Sequence, residues 1–351
     1  MSDDEHPTKT SNPTIKDHTG TEADNHQLSS VSRRSYLAHL AAVSSTLMSY
    51  SLTADDKTAN GCEPVSEPHV SKPEELEFGF IKQPPGELYS LGDHRLHSWS
   101  LGEGDITVIF EPGLGGSALE YVPLAEQVSQ QHQVLLYDRA GYGWSDPGVS
   151  PRHVLRLARE LKQLITLRGV KNKLILVGHS YGGLIMREFA QLAGDQVRGL
   201  VLVDSSHEDQ FNRLADKDGV SMLPTSDHFV ISAPELPHGL RDDVRKKILA
   251  LSRMRKTYAA LHAEISSFKE SCDHIRNQNA TFDFPVTIIS RGVNPAASDD
   301  NSTENEAIWQ ELQTDLLKLS KYSQQRIATE SGHHIHIDQP DYITDAITDL
   351  S

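Results

Sequence analysis

Gly178-His179-Ser180-Tyr181-Gly182 is the stretch of this chain best equipped for chemistry. A serine hydroxyl is a weak nucleophile unless the backbone presents it and a base takes its proton. Here the serine follows an apolar run, Lys173-Leu174-Ile175-Leu176-Val177, short enough for a buried strand. Gly183-Leu184-Ile185-Met186-Arg187-Glu188-Phe189-Ala190 comes after it and reads as a helix. Strand, G-x-S-x-G and helix together predict a nucleophile elbow. Such a turn is so sharp that the serine backbone is strained and its hydroxyl points out over the sheet. Side chains beside it would clash, so glycines flank it. The helix that begins there aims its free N–H groups at any developing anion.

The elements that would position this serine lie downstream of a polar N-terminus. Residues 1–31 lack the branched apolar and aromatic side chains needed to offset ordering entropy, and disorder is expected there. Ser32-Arg33-Arg34-Ser35-Tyr36-Leu37, with the weakly apolar residues 38–54 after it, resembles a twin-arginine export signal. That likeness implies contact with export machinery or N-terminal membrane attachment, and a place beyond the cytoplasm. The stretch is too short and polar for a transmembrane helix. Ala59-Asn60-Gly61-Cys62 has the end of a lipidation motif but not its usual leucine. Residues 55–85 read as a linker marked by Pro64, Pro68, Pro73 and Pro84, so the folded domain is expected over 86–351.

From there strands and helices alternate. A hairpin is predicted over Glu87–Leu91 and His94–Ser100, turned at Gly92-Asp93. Further strands are expected at Ile106–Glu111, Gln133–Asp138, Lys173–Val177, Val197–Val203, Val286–Ser290 and Arg326–Thr329. Helices are expected at Ala118–Ser129, Pro151–Arg168, Gly183–Leu192, Thr303–Leu319 and Pro340–Leu350. This alternation argues for an α/β fold, a mainly parallel sheet of eight strands with helices on both faces. Residues 205–284 interrupt it with helical patterns at Arg241–Met254 and Tyr258–Cys272. A long insertion at the edge that carries the strand ends reads as a helical lid after the sixth strand.

Composition narrows the function. A net charge of −16 and the absence of a basic stripe exclude a nucleic-acid partner. Cys62 and Cys272, the only two cysteines, lie far apart and imply no disulfide framework. Gly141 and Gly143 are not followed by G-K-[ST], so no nucleotide loop is expected.

Four stretches then carry a resemblance to the α/β-hydrolase fold family. They are Glu111-Pro112-Gly113-Leu114-Gly115-Gly116-Ser117, Tyr137-Asp138-Arg139-Ala140-Gly141-Tyr142-Gly143-Trp144-Ser145-Asp146, the serine elbow, and Ser331-Gly332-His333-His334-Ile335-His336-Ile337-Asp338-Gln339-Pro340. They stand in the family's order and span the chain from about Glu87 onward. The resemblance implies Ser180 as nucleophile and His333 as its base. It implies an oxyanion hole from the backbone N–H groups of Leu114 and Tyr181, with Pro112 where relatives carry histidine. Asp138 and the loop through Asp146 are expected to support the oxyanion loop.

The acid that orients the histidine departs from the family pattern. Relatives usually carry an aspartate just after the strand at Val286–Ser290, where this chain has Arg291-Gly292-Val293-Asn294. Asp204, ending the preceding strand, is the family's second solution and the first choice. Asp299 or Asp300 are alternatives, with Glu208 behind them. His333, His334 and His336 could suggest a metal. An extended segment would turn His334 away from His333, and no carboxylate or cysteine stands at ligand spacing. No metal is therefore expected, and His334 and His336 read as residues that pack around the site or support its side chains from behind.

The expected activity is hydrolysis of a carboxylic ester of a small molecule through an acyl-enzyme, with no cofactor. The same triad would serve amide, lactone or carbon–carbon bond hydrolysis, or acyl transfer. The serine argues against the epoxide hydrolase and haloalkane dehalogenase branches, which use a carboxylate there. An alternative of another class is a ligand-binding protein that keeps the fold without catalysis.

Overall fold

The apolar runs form eight strands: β1 (Glu87–Ser90), β2 (Arg95–Leu101), β3 (Ile106–Glu111), β4 (Gln133–Tyr137), β5 (Lys173–His179), β6 (Val197–Val203), β7 (Val286–Arg291) and β8 (Gln324–Ala328). They make one sheet in the order β1-β2-β4-β3-β5-β6-β7-β8. β2 pairs antiparallel with β1 and β4, and all other neighbours are parallel. This is the α/β architecture expected above. The computed structural model describes residues 84–214, 236, 239–293 and 302–351. The tail, the twin-arginine-like segment, Cys62 and nearly all of the linker lie outside them, as do Asp299, Asp300 and part of the insertion. No helix among the described residues is long and apolar enough to cross a membrane.

Both faces of the central strands are covered, which is why β3 to β7 are mainly apolar while the edge strands β1 and β8 carry polar, exposed residues. Val108, Phe110, Val134, Leu136, Ile175, Val177, Val201 and Val203 share one core. Helices α1 (Val122–Val128) and α8 (Asp341–Leu350) close it through Leu124, Ala125, Ile343 and Ile347. The alternate residues Ile109, Leu135, Leu174, Leu176, Leu200 and Leu202 form a second core. There α2 (Val154–Leu167) and α3 (Tyr181–Ala193) supply Ala158, Leu161, Met186 and Phe189. Residues one apart along each strand thus reach opposite layers.

The insertion between β6 and β7 contains α4 (Asp242–Ser252), α5 (Arg255–Ser266) and α6 (Phe268–Gln278); α7 (Ser302–Asp315) follows β7. The single helix expected over Tyr258–Cys272 is therefore two, meeting at Ser267, whose N–H is shared between Ala263 O and Glu264 O at 3.2 Å each. The break directs Glu264 to the core and lets Phe268 close edge-on against Tyr181, with ring centroids 4.7 Å apart. The helix expected from Pro151 begins only at Val154. Arg152 precedes it, buried, and turns towards Glu264 and Glu160 at 3.5 and 3.6 Å.

A partly buried ion pair ties α3 to the chain beyond β6. Arg187 grips Glu208 through two bonds of 2.5 and 2.8 Å, so Glu208, the distant candidate to orient the histidine, is engaged by Arg187 instead. Burial opposes the Glu208 charge, but Arg187 outweighs it and carries the pKa down to about 2. The folded value lies below the ordinary one, so this stabilisation is present above about pH 4.5 and fades as the pH falls towards the folded value. Glu208→Gln should cost about 1–3 kcal/mol at pH 7. In urea melts across pH, the gap from the parent should narrow below pH ~4.5. A gap that stayed constant would mean the pair contributes nothing through charge.

Candidate active site

The elbow is a packing solution before it is a chemical one. β5 ends at His179, α3 begins at Tyr181, and Ser180 between them has φ 51° and ψ −123°. A non-glycine residue held there stores on the order of 1–3 kcal/mol of strain. Surrounding backbone leaves no slack to relieve it. A Cβ on Gly182 would lie 2.3 Å from Glu111 O, and one on Gly178 would lie 2.6 Å from Gly182 O. Ser180 N–H donates to Val203 O at 3.1 Å, and Ser180 O accepts from Gly183 and Ser206 N–H at 2.9 and 3.0 Å.

Asp204 follows Val203 directly and is fully buried, with φ 39°. Its Oδ2 meets His333 Nδ1 at 2.6 Å and accepts from an Arg291 guanidinium nitrogen at 2.8 Å. Its Oδ1 accepts the Trp309 indole N–H at 2.8 Å. Burial alone would push this carboxyl's pKa up. Arg291, then His333 and Trp309, overcome that and hold it well below the usual carboxylate range. Asp204 and His333 are thus brought together, while the alternatives Asp299 and Asp300 lie outside the described residues. Arg291 occupies the stretch where the usual family acid was sought, and it braces the acid on the neighbouring strand instead. Glu306 on α7 holds Arg291 in turn, at 2.7 Å.

His333 is delivered by the chain after β8. Gly292 N–H donates to Ala328 O at 2.8 Å and Val293 N–H to Ser331 O at 3.0 Å, which pins that loop to the end of β7. His333 Nε2 is buried and makes no hydrogen bond among the described residues. Catalytic hydrogen bonds commonly tighten only once substrate is bound.

The loop after β3 lies against the serine. A Cβ on Gly113 would sit 3.2 Å from Ser180 Cβ. Arg139, buried at the end of β4, donates to Pro112 O and Gly113 O, both at 2.8 Å. Gly113 C=O and Leu114 N–H belong to one planar peptide and point in opposite directions. Holding the carbonyl towards Arg139 therefore aims the Leu114 N–H the other way. Arg139 also binds Glu111 at 2.6 Å, and Glu264 of α5 at 3.1 Å through each of two nitrogens. One guanidinium thus joins the loop to the inserted helices. Asp138 supports the turn beyond it, accepting from Trp144 N–H at 3.1 Å and lying 2.9 Å from His97 Nδ1. Leu114 and Tyr181 share a third core with Leu261 and Phe268 of the insertion.

Around His333 stand three further imidazoles. The segment after it is not extended, as the alternation argument supposed: Ile335–Asp338 is a helical turn. It keeps His334 beside His333, centroids 5.6 Å apart, and stacks His336 on Tyr121 at 4.6 Å. His179 Nε2 donates to His333 O at 2.8 Å. Burial first, then its imidazole neighbours, keeps His179 neutral well below the usual histidine range.

Sequence reasoning missed Arg291, Trp309 and His179 and did not foresee Arg139's grip on two carbonyls. A charged residue closing an apolar strand, as Arg291 does, was the available signal for a buried counter-ion.

The comparisons agree with this architecture. A family model described as the alpha/beta hydrolase fold matches residues 106–340. The uncharacterized protein YqjL of Bacillus subtilis is 27% identical over 249 residues, covering 71% of this chain and 85% of its own length. RutD of Azorhizobium caulinodans, provisionally named a carbamate hydrolase, is 34% identical over 113 residues, covering 32% of this chain and 42% of its own. Among solved structures, a mutant of the Vigna radiata epoxide hydrolase matches with a TM-score of 0.58 at 14% identity, over 77% of this chain and 98% of that one. At that identity the likeness speaks for the fold alone. The matched residues run from β3 past β8 and hold the strands, the elbow and the late histidine, so this chain belongs to the α/β-hydrolase fold family.

Proposed function

We propose that this protein is a serine hydrolase that cleaves a carboxylic ester, or a closely related acyl bond, of a small molecule. The observation that carries the reading is the 2.6 Å contact between His333 Nδ1 and Asp204, at a strand end whose preceding residue binds the Ser180 backbone. In this reading Ser180 Oγ attacks the acyl carbon and gives its proton to His333 Nε2. Asp204 holds the ring so that Nδ1 keeps its proton, and stabilises the imidazolium that forms. The carbonyl oxygen becomes an oxyanion facing Leu114 and Tyr181 N–H. His333 then protonates the departing alcohol, and the acyl-enzyme remains. Water, deprotonated by His333, attacks the acyl carbon, and Ser180 leaves with the proton returned.

Epoxide opening by the route this fold uses elsewhere begins with a carboxylate at the elbow, so the fold likeness to epoxide hydrolases does not transfer that chemistry. A carbamate, the bond in RutD's name, would pass through the same steps as an ester. The helices between β6 and β7 act in this reading as a lid: Leu261 and Phe268 pack beside Leu114 and Tyr181 and shape the acyl side. The twin-arginine-like segment belongs to the same proposal, as the route of an exported hydrolase.

A fluorophosphonate probe should label Ser180, located by peptide mass spectrometry, and the label should vanish in Ser180→Ala. An unlabelled but folded parent protein would overturn the reading and favour ligand binding without catalysis. Asp204→Asn should lower kcat by about 10⁴-fold with the fold retained by circular dichroism. Near-normal turnover would shift the orienting role to Asp299 or Asp300. Arg139→Lys keeps the charge but cannot span two carbonyls and two carboxylates at once. It should lower kcat by about 10–100-fold with little change in KM, because the mis-aimed Leu114 N–H matters most in the transition state. Equal loss of active protein with an unchanged kcat per labelled site would mean Arg139 serves folding alone.

A further inference from the structure

We infer that His179, His334 and His336 form a binding site for one divalent transition-metal ion of the zinc class, set behind His333. One ring nitrogen from each lies within 4.8 Å of the other two, and all three residues are buried. Their ring centroids are 4.7, 5.6 and 5.7 Å apart, so the rings surround a common point rather than stacking in a row. Tetrahedral zinc at ~2.0–2.1 Å from each nitrogen puts ligand atoms about 3.3 Å apart. Closing to that spacing takes side-chain rotation on the turn that carries His334 and His336, since His179 is fixed at the end of β5.

The groups behind the ligands point the same way. A histidine that binds a metal usually donates its other N–H to a carbonyl or carboxylate, which fixes the ring. His179 already donates from Nε2 to His333 O, which leaves its second nitrogen with a lone pair. Glu120 Oε2 stands 3.5 Å from His336 Nε2, and Glu120 is itself fixed by Ser117 N–H at 2.9 Å. Neither ring nitrogen of His336 makes a hydrogen bond among the described residues, though the residue is buried. Leaving a buried polar group unsatisfied costs about 1–3 kcal/mol, so a ring serving only to pack would be better replaced by a hydrocarbon. An ion on one nitrogen and Glu120 at the other would satisfy both. An all-imidazole set suits zinc, copper, nickel or cobalt and does not suit magnesium or calcium. The sequence pattern H-H-x-H hid this set because its third member, His179, comes from the elbow.

The test is direct metal binding to the full chain stripped with chelator. Co²⁺ should give visible d–d absorption that saturates at one equivalent and is displaced by Zn²⁺. His336→Ala should weaken binding by about 100-fold, and Glu120→Gln by about 10-fold, an effect that packing alone would not produce. His336→Gln replaces the alanine variant if that one does not fold. No absorption at one equivalent, or absorption that survives His336 substitution, would overturn the site. Binding is read without substrate, so this outcome is independent of the serine hydrolase reading.

Discussion

A carboxylate with no solvent exposure ends β6, and the C-terminal half of the chain is arranged to keep it charged. Moving such a group out of water costs several kcal/mol even after relaxation, and only close, well-aimed donors recover it. Asp204 receives them from three separate elements: Arg291 at the end of β7, Trp309 on α7 and His333 beyond β8. Each partner is itself fixed. Glu306 holds Arg291, whose guanidinium also lies 4.7 Å from the centre of the Trp309 ring. Gly292 and Val293 clamp the loop that carries His333. The position of the histidine over the sheet edge thus follows from the electrostatics of one buried acid.

A second buried cation does the corresponding work on the other side of Ser180. Arg139 lies among Glu111, Glu264 and the backbone carbonyls of Pro112 and Gly113, and bonds all four at once. Burial raises the pKa of Glu111, and Arg139 together with the Tyr137 hydroxyl works against that rise. Buried pairs of this sort add little net stability over a hydrocarbon core, yet losing one partner strands the others. Their use here is directional. The apolar layers leave the loops above the sheet free to tilt, whereas a planar guanidinium with several fixed acceptors sets the tilt.

The sheet was legible in the sequence because apolar runs and their spacing obey simple periods. β3 and β6 fall where expected, and most other boundaries move by a residue or two. The departures are informative. β5 and β7 run past their apolar residues to His179 and Arg291, since strand pairing continues where side-chain polarity changes. α2 starts late because Arg152 must reach Glu160 and Glu264. Ser180, Asp204 and His333 could be named from motif and order. The roles of Arg291, Trp309 and His179 could not, because the contacts they make to Asp204 and His333 span more than 80 residues of chain and no local period records such pairings.

The contrast between fold and chemistry sharpens the reading of the site. Structures bearing the name epoxide hydrolase share this fold at 14% identity, so about six residues in seven differ. What distinguishes one chemistry from another is the atom at the elbow and the groups that face it. The backbone at position 180 has φ 51°, and that strain is set by the flanking glycines and their close neighbours. A hydroxyl there differs from a carboxylate in needing a base to accept its proton. The geometry that would supply one, an imidazole locked at Nδ1 by a buried aspartate with Nε2 unengaged among the described residues, is an expensive arrangement for a protein that only binds. On the proposed reading, the cost of burying Asp204 and leaving His333 Nε2 unpaired is offset when the substrate's transition state completes the set.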